Sequence, residues 1–199
     1  MAHKYKSIFG WTDFESIYEM AVNSYNNTQF IEIGNFQGRS AALLGELIKE
    51  KQKNIQVICV DIFPTTFELD KWKSVGASQG DEGRLIRELN DSLINIFVKN
   101  MYDAGVDDIV IPIKSTSEKA WHVLNGKTYG MVFIDGGHGR DACYRDIELY
   151  YPLVSNGGIC AGHDFGDLSV NQAVYDYFRP LNINVEHIGN SWLVKKKDK

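Results

Sequence analysis

The sequence predicts an α/β protein built on a doubly wound, mostly parallel seven-stranded sheet, with helices on both faces and a C-terminal antiparallel hairpin. The first observation is that short apolar runs alternate with helical patterns along the chain, an order typical of parallel sheets covered on both faces. The second is that two apolar runs, 184–188 and 192–194, flank a Gly189-Asn190 turn. The length of 199 residues fits one domain over 1–199.

The predicted strands are short runs in which apolar, mostly β-branched or aromatic residues dominate, a composition that favours buried parallel strands. Each run stops at a glycine, a charged residue or a histidine. In chain order, the predicted strands cover residues 30–33, 56–60, 109–113, 129–134 and 158–162.

The predicted helices carry apolar residues three or four positions apart. A long helix over 82–104 ends just before Gly105, and the last one stops at Pro180. The helix over 13–25 is expected to pack over one edge of the sheet or to cover the site, as part of an N-terminal cap over 1–27 before a core over 28–195. The other helices span 39–51, 116–124 (with Ser115 or Thr116 as its cap), 141–151 and 170–178.

Composition excludes several partner classes. A net charge of −5 gives no general attraction for nucleic acid or an anionic membrane. No apolar run approaches the ~20 residues that span a bilayer, and the polar N-terminus predicts no secretory signal. Three widely spaced cysteines, with Cys59 and Cys160 inside strands, predict buried free thiols in a reducing cytosol. We therefore expect a cytoplasmic protein.

Polar residues follow the predicted strands, where ligands bind in such sheets. They are Gly34 with Glu32 just before it, Asp61, residues 115–117, Asp135, and His163 with Asp164. Four of these places carry an acid. Because crowded carboxylates repel one another, a bound polyol, cation or metal is expected there.

The loop after the first strand has the form E-x-G-x-x-x-G-x-S, from Glu32 to Ser40. Its glycines, Gly34 and Gly38, either let a cofactor approach the backbone or are simple turn glycines. The spacing differs from the G-x-G-x-x-G pattern that binds a pyrophosphate, and no P-loop motif is present. An acid here suits a cationic ligand such as S-adenosylmethionine better than a polyanion.

Three further motifs place side chains that could bind a ligand or catalyse a reaction at the same edge of the sheet. Asp61 can accept hydrogen bonds from ribose hydroxyls, a role shared by NAD and S-adenosylmethionine sites, or can cap a turn. His138, three residues after Asp135, can serve as a general base or bond to the backbone of its loop. Asp135, His163 and Asp164 can converge as a divalent metal site, or the last two can anchor a loop.

With these motifs in order, the chain resembles the class I S-adenosylmethionine-dependent methyltransferases. More narrowly, it resembles the family of macrocin-type sugar O-methyltransferases and cephalosporin-hydroxylase-like proteins. The resemblance runs from about Trp11 to Trp192, and the pattern IDGGH…D…GG…GHDF is its most specific part.

The resemblance implies O-methylation of a small-molecule hydroxyl, with S-adenosylmethionine as cofactor and Mg²⁺ as a possible second one. The implied cofactor-binding residues are Glu32, Gly34, Asn35, Gly38 and Ser40 at the methionine part, Asp61 and Ile62 at the ribose, Thr116 and Ser117 around the adenine, and Asp135 at the amine or a metal. Relatives bind magnesium through an Asp after the fourth strand and an acidic pair after the fifth. Here His163 replaces the first acid of that pair, and Gly137 stands where relatives carry a catalytic Asp. The expected catalytic residues are therefore His138 and Asp135.

Other functions compete with this one. An NAD-dependent oxidoreductase is disfavoured by the loop spacing, and nucleic-acid methylation by the acidic chain and the absence of an Asn/Asp-Pro-Pro-aromatic motif. A binding protein without turnover and an iron oxygenase using Asp135, His163 and Asp164 are also consistent with the motifs. The acceptor is expected to contact the loops at 63–81 and 165–169. The oligomeric state is open, and a homo-oligomer is possible.

Overall fold

A seven-stranded sheet forms the centre of the protein. The computed structural model describes residues 3–65 and 93–197. The strands are β1 (Thr28–Ile33), β2 (Ile55–Asp61), β3 (Val110–Lys114), β4 (Tyr129–Ile134), β5 (Val154–Gly162), β6 (Glu186–Ile188) and β7 (Ser191–Lys195). They lie in the order β3-β2-β1-β4-β5-β7-β6. The first five strands are parallel, and β7 and β6 are antiparallel to their neighbours. The predicted fold class is confirmed.

Six α-helices are found in the described ranges. They are α1 (Glu15–Ser24), α2 (Arg39–Glu50), α3 (Leu93–Ala104), α4 (Ser117–Leu124), α5 (Arg140–Tyr150) and α6 (Leu168–Phe178). The helix predicted over 82–104 matches α3 from Leu93 onward, whereas 82–92 lie outside the described residues. Short 3₁₀ turns, which the periodicity did not predict, cover Lys4–Ser7, Tyr151–Leu153 and Arg179–Leu181.

Strand β5 is longer at its start than the apolar pattern predicts. Its first residues gain partners from the C-terminal segment, since Gly157 N donates to Lys196 O and Lys196 N donates to Gly158 O, both at 2.8 Å. These bonds depend on contacts distant in the sequence, so no local pattern could indicate them. Strand β6 is shorter than predicted, and all three of its residues are exposed.

Each face of the sheet buries its own apolar cluster. One cluster joins α1, α2 and α3 to alternate residues of β1, β2 and β4, and the other joins α4, α5 and α6 to the opposite face. The rings of Phe14 and Tyr18 pack on Phe133 of β4, with centroids 4.7 and 5.0 Å apart. The N-terminal helix is thus an integral part of one helical layer, and the prediction of an edge cover or a lid is wrong for the helix itself.

The cysteines confirm the expectation of buried free thiols. Cys59, Cys143 and Cys160 are all free and buried, and burial raises the pKa of the Cys59 thiol well above its ordinary value. None of the helices in the described ranges is long and apolar enough to cross a membrane.

Candidate functional site

A cavity of about 1110 Å³ opens at the carboxyl ends of the parallel strands. This is the edge that the sequence predicted, because each of strands β1 to β5 ends there. The predicted site residues that line the cavity are Gly34, Asn35, Ser40, Asp61, Ile62, Thr116, Ser117, Asp135, His138, His163 and Asp164. Two predicted residues, Glu32 and Gly38, are not part of its wall.

Gly34 allows the ends of β1 and β4 to approach each other closely. Its φ is +84°, and a Cβ at this position would lie 1.9 Å from the carbonyl oxygen of Asp135. Asp135 N donates to Ile33 O at 2.7 Å across the same junction. A glycine is therefore required here by the fold, and it also leaves the loop backbone open to the cavity.

Gly38 provides space for a helix that packs against the loop after β1. It precedes α2 with a φ of +87°, and a Cβ would lie 2.6 Å from Met101 Cε and 2.7 Å from Phe97 Cδ2. Its missing side chain makes room for α3, which packs beneath the loop. The structure thus gives Gly38 a packing role, and its expected contact with the methionine part stays a prediction.

Glu32 lies one layer beneath the cavity wall. Its side chain is fully buried, Tyr18 Oη donates to Oε1 at 2.8 Å, and Cys59 Sγ lies 3.8 Å from Oε2. Burial raises the pKa of the Glu32 carboxyl to about 7, although bonds from Ser40 and Tyr18 act in the opposite direction. In this structure Glu32 supports the loop from below, and its expected contact with the cofactor stays a prediction.

Asp61 fixes the loop after β1 as well as lining the cavity. Its Oδ2 accepts from Asn35 N at 2.7 Å and Phe36 N at 2.9 Å, and its Oδ1 accepts from Phe63 N at 2.6 Å. Burial raises the pKa of Asp61, while these three backbone donors lower it. A carboxylate offers about four acceptor sites, so one remains for a ligand hydroxyl.

The Asn35 amide is a buried polar group that a ligand could satisfy. It lies in the cavity wall, 5% exposed, and its side chain bonds to the buried Glu32 carboxyl, while its Oδ1 has no hydrogen-bond donor in the described part of the chain. An unsatisfied buried amide costs about 1–3 kcal/mol. The Asn35 oxygen therefore remains as an acceptor for a polar ligand.

The loop after β3 forms the opposite wall. Thr116 caps α4 by accepting from Lys119 N at 3.4 Å, which identifies it, rather than Ser115, as the cap. Tyr150 Oη donates to Ser117 O at 2.7 Å and holds this loop against α5. Ser115 N donates to Asp61 O at 2.9 Å, so the loops after β2 and β3 are fixed side by side.

Three side chains that could ligate a metal cluster at the ends of β4 and β5. Oxygen or nitrogen atoms of Asp135, His138 and Asp164 all lie within 4.8 Å of one another. His138 Nε2 lies 3.0 Å from Asp164 Oδ2, and the histidine side chain is 58% exposed. The structure thus groups Asp135 and Asp164 with His138. The sequence predicted His163, not His138, as the third metal ligand.

His163 is buried between carboxylates. Its Nδ1 lies 3.3 Å from Asp164 Oδ1 and 3.9 Å from Asp135 Oδ1, and its Nε2 lies 2.9 Å from Asp13 Oδ1. Burial lowers the pKa of His163, but the bond to Asp164 and the charges of Asp135 and Asp13 outweigh it and raise this pKa to about 9. His163 is thus held by ion pairs with the acids around it.

Sequence reasoning assigned no role to several residues of the wall. The segment before α1 contributes Phe9, Trp11 and Asp13, and the middle of α5 contributes Asp146. Phe9 contacts Trp11 and Phe36 edge-on, at 5.7 and 6.0 Å. One signal was available for Asp146: it is an acid on the same helix face as buried Cys143, Ile147 and Tyr150.

Comparison with known families shows which family the chain belongs to. A family model described as "Methyltransferase domain" matches residues 31–165, more than half of the chain. The chain therefore belongs to this family of methyltransferase domains, and its resemblance to the class I methyltransferases is confirmed. None of the curated proteins compared with the chain matches it.

Solved structures share the fold at low sequence identity. An O-methyltransferase from Bacillus cereus in complex with SAH has 12% identity and a TM-score of 0.62, over 98% of this chain and 84% of that one. TomG from Streptomyces achromogenes, an O-methyltransferase of tomaymycin synthesis in complex with SAM, has 11% identity and a TM-score of 0.63, over 95% and 82%. A protein described as a putative rRNA-methylase from Clostridium thermocellum has 12% identity and a TM-score of 0.65, over 96% and 99%.

Proposed function

We propose that this chain transfers the methyl group of S-adenosylmethionine to a hydroxyl of a small molecule. The observation that carries the proposal is that one cavity is lined both by the Asn35 amide, whose oxygen has no donor among the described residues, and by the His138–Asp164 pair. The Asn35 amide suits the polar end of an amino-acid-like cofactor, and the His138–Asp164 pair suits removal of a proton from an acceptor. Family membership and two neighbours solved with SAH or SAM support the choice of cofactor.

The residues present fit this cofactor. Small-molecule sites occupy about 300–1,000 Å³, so a cavity of about 1110 Å³ has room for the cofactor and part of an acceptor. Asn35 offers its oxygen to an ammonium group. The remaining acceptor site of Asp61 suits a ribose hydroxyl, and Thr116 and Ser117 border the space left for the adenine.

The bound cofactor supplies an electrophilic methyl group: a C–O bond to the acceptor forms as the C–S bond breaks, the sulfur leaves as a neutral thioether, and the hydroxyl proton must go to a base. The protein holds the reacting atoms in line, an effect worth about 7–11 kcal/mol of barrier. It also provides that base near the acceptor oxygen.

His138 is our candidate for the base. With Nε2 directed at Asp164, its Nδ1 can take the hydroxyl proton, and the Asp164 carboxylate stabilises the imidazolium that results. Its exposed position lets the proton pass on to water. Asp135 lies in the same cluster and orients either the acceptor or the cofactor amine.

A divalent cation is the alternative for the same cluster. Asp135, Asp164 and His138 provide two carboxylates and an imidazole close enough to share one ion. A cation held there would acidify the acceptor hydroxyl, and His138 would then act as a ligand. The oxygen-rich set suits Mg²⁺ or Mn²⁺, and the imidazole extends the range toward Fe²⁺ and Zn²⁺.

The residues of the cavity wall also limit which kinds of acceptor molecule can bind. Phe9 and Trp11 expose 46% and 55% of their surfaces at the rim, where a ring could stack. Asp13, Asp135 and Asp164 make the interior acidic, which disfavours a phosphorylated or carboxylated acceptor. We therefore expect a neutral or cationic ring compound, such as a sugar or an aromatic natural product, and the net charge of −5 argues against nucleic acid.

Transfer of a tritiated methyl group tests this function. The protein is incubated with labelled S-adenosylmethionine and separate pools of sugars, phenols and RNA, with Mg²⁺ and again with a chelator. We expect label in a sugar or phenol pool. Loss of transfer with the chelator would assign the cluster to a metal, whereas label only in RNA would contradict the proposed acceptor class.

A further inference from the structure

Asn190 lies in the cavity wall, and the proposed chemistry gives it no role. It belongs to the turn that joins β6 to β7, and it is half-buried there. The sequence predicted this residue only as part of a turn. In the structure, the C-terminal hairpin brings it beside the loop after β5, which carries Asp164.

Asn190 binds the backbone that directly follows Asp164. Gly166 N donates to Asn190 Oδ1 at 2.7 Å, and Phe165 N donates to Asn190 O at 2.8 Å. A Cβ on Gly166 would lie 2.9 Å from Asn190 Oδ1, so the glycine leaves room for this close approach. Asp164 itself has a φ of +55°, a conformation that a non-glycine residue keeps only where its surroundings enforce it. The two hydrogen bonds to Asn190 contribute to that constraint.

The Asn190 side chain also contacts the Asp164 carboxylate. Asn190 Nδ2 donates to Asp164 Oδ1 at 3.4 Å, and His163 Nδ1 lies 3.3 Å from the same oxygen. Because rotation of a carboxylate about its Cβ–Cγ bond is only weakly restricted, its orientation depends on such partners. With Oδ1 contacted from two sides, Oδ2 faces His138 Nε2 at 3.0 Å.

We propose that Asn190 is a positioning residue that acts through Asp164 to fix the direction of the His138 imidazole. This inference rests on the proposed function, in which His138 receives the proton of the acceptor hydroxyl. Because the His138 side chain is 58% exposed, the orientation of its ring depends on the contact with Asp164 more than on packing. Asn190 also lines the cavity, so direct contact with the acceptor is the alternative that the test must separate.

The signals of the His138 ring report this positioning without any acceptor. Carbon–proton correlation spectra of the full chain with ¹³C-labelled histidine are recorded with a chelator at one fixed pH, and the His138 signals are identified by their loss in His138→Ala. Asp164→Ala shows where these signals lie once the carboxylate is gone. We expect Asn190→Ala to move them at least half of the way from the native position to that position. Asn184→Ala, which changes an exposed asparagine before β6, should leave them in place.

A double variant separates action through Asp164 from independent action. In Asp164→Ala the proposed route from Asn190 to His138 is already broken, so adding Asn190→Ala should not move the His138 signals further. Effects of two residues that act along one route do not add, whereas effects of independent residues do. A further shift in the double variant, as large as that of Asn190→Ala alone, would overturn the inference.

Kinetics distinguish positioning from contact with the acceptor. With the sugar or phenol that takes up label as the probe, Asn190→Ala should lower kcat about 10- to 100-fold, since a misplaced reacting group costs that much. The KM of the probe and the Kd of S-adenosylhomocysteine should stay within about threefold of the native values. A raised KM with unchanged kcat would show that Asn190 contacts the acceptor instead, and would overturn the inference.

A second variant covers the case in which Asn190→Ala does not fold, as judged by circular dichroism. Asn190→Asp keeps an acceptor for Gly166 N but cannot donate to Asp164, and it should move the His138 signals equally. Folded variants that keep the native His138 signals, even with a lower free energy of unfolding, would show a merely structural role for Asn190 and overturn the inference.

The outcomes also distinguish this inference from the proposed function. If the native protein neither binds S-adenosylhomocysteine nor transfers label, the proposed function fails, and the spectra still decide whether Asn190 orients His138. If the native protein transfers label and Asn190→Ala keeps both kcat and the His138 signals, the proposed function stands and the role of Asn190 is wrong.

Discussion

Asp164 Oδ2 lies 3.0 Å from His138 Nε2, and this contact joins the loop after β5 to the loop after β4. The other oxygen of the same carboxylate lies 3.3 Å from His163 Nδ1, so Asp164 links an exposed histidine to a buried one. Asp164 has a φ of +55°, a conformation that costs a non-glycine residue about 1–3 kcal/mol and is concentrated at functional sites. The arrangement gives His138 a fixed orientation toward the cavity.

Replacement of His138 should affect turnover more than cofactor binding. If its Nδ1 removes the hydroxyl proton, His138→Ala should lower kcat about 10²- to 10⁴-fold and leave the dissociation constant of S-adenosylhomocysteine within about threefold. Methyl-transfer kinetics and calorimetry measure the two effects. His122→Ala, an exposed histidine in the last turn of α4, is the control. Unchanged turnover in His138→Ala would remove this residue from the mechanism.

Loss of the Asp61 carboxylate should weaken both the loop and the ligand site. Asp61→Ala leaves three backbone N–H groups without their acceptor, and each buried unsatisfied donor costs about 1–3 kcal/mol. We expect the free energy of unfolding to fall by about 3 kcal/mol or more and S-adenosylhomocysteine binding to be lost. Urea titration and calorimetry test this. Asp103→Ala, an exposed partner of Lys99, should change neither.

Gly38→Ala and Gly105→Ala form a matched pair that isolates packing from backbone strain. Both glycines have positive φ, +87° and +74°, but an added Cβ at 38 meets α3 whereas at 105 it meets nothing within 4 Å. Gly105→Ala should cost about 1–2 kcal/mol from strain alone. Gly38→Ala should cost about 1–3 kcal/mol more from overpacking. Equal losses in urea unfolding would show that Gly38 is not a packing residue.

Glu32 should make the protein less stable as pH rises. Its pKa of about 7 in the folded chain exceeds the ordinary value of 4.5, so between these values the folded state binds more protons than the unfolded state. The resulting stabilisation is complete below about pH 4.5 and is lost as pH rises through 7, on the order of 3 kcal/mol.

Glu32→Gln tests that dependence, because glutamine cannot ionise. The difference in unfolding free energy between the variant and the native protein, measured by urea titration at pH 5, 6.5 and 8, cancels the titration of groups that they share. We expect the variant to gain stability relative to the native protein toward pH 8. A difference that does not change with pH would show that Glu32 has an ordinary pKa.

The sequence predicted the fold well because each strand has a local sequence pattern that identifies it. Runs such as 129–134 are apolar throughout and stop at an acid, and the strand-end rule then brings Asp61, Asp135 and Asp164 to one cavity. The turn at Gly189 and Asn190 likewise fixes the final hairpin in the place predicted.

Such local rules could not predict how deeply a side chain is buried or which distant segments contact each other. Glu32 and Gly38 belong to the right motif, but whether a side chain points into the cavity or beneath it depends on what packs below, here Tyr18 and Met101. Asp13 reaches His163 from a segment 150 residues away, and no local pattern encodes that contact. The predicted acceptor loop at 63–81 lies mostly outside the described residues.

Calorimetric titration of the purified protein with S-adenosylhomocysteine tests the central claim most directly. The same titration on Asn35→Ala, which removes the buried amide from the cavity wall, serves as the site-specific comparison. The account predicts one site with micromolar affinity in the native protein and binding at least tenfold weaker in the variant. Folded native protein that binds neither S-adenosylhomocysteine nor S-adenosylmethionine would contradict it.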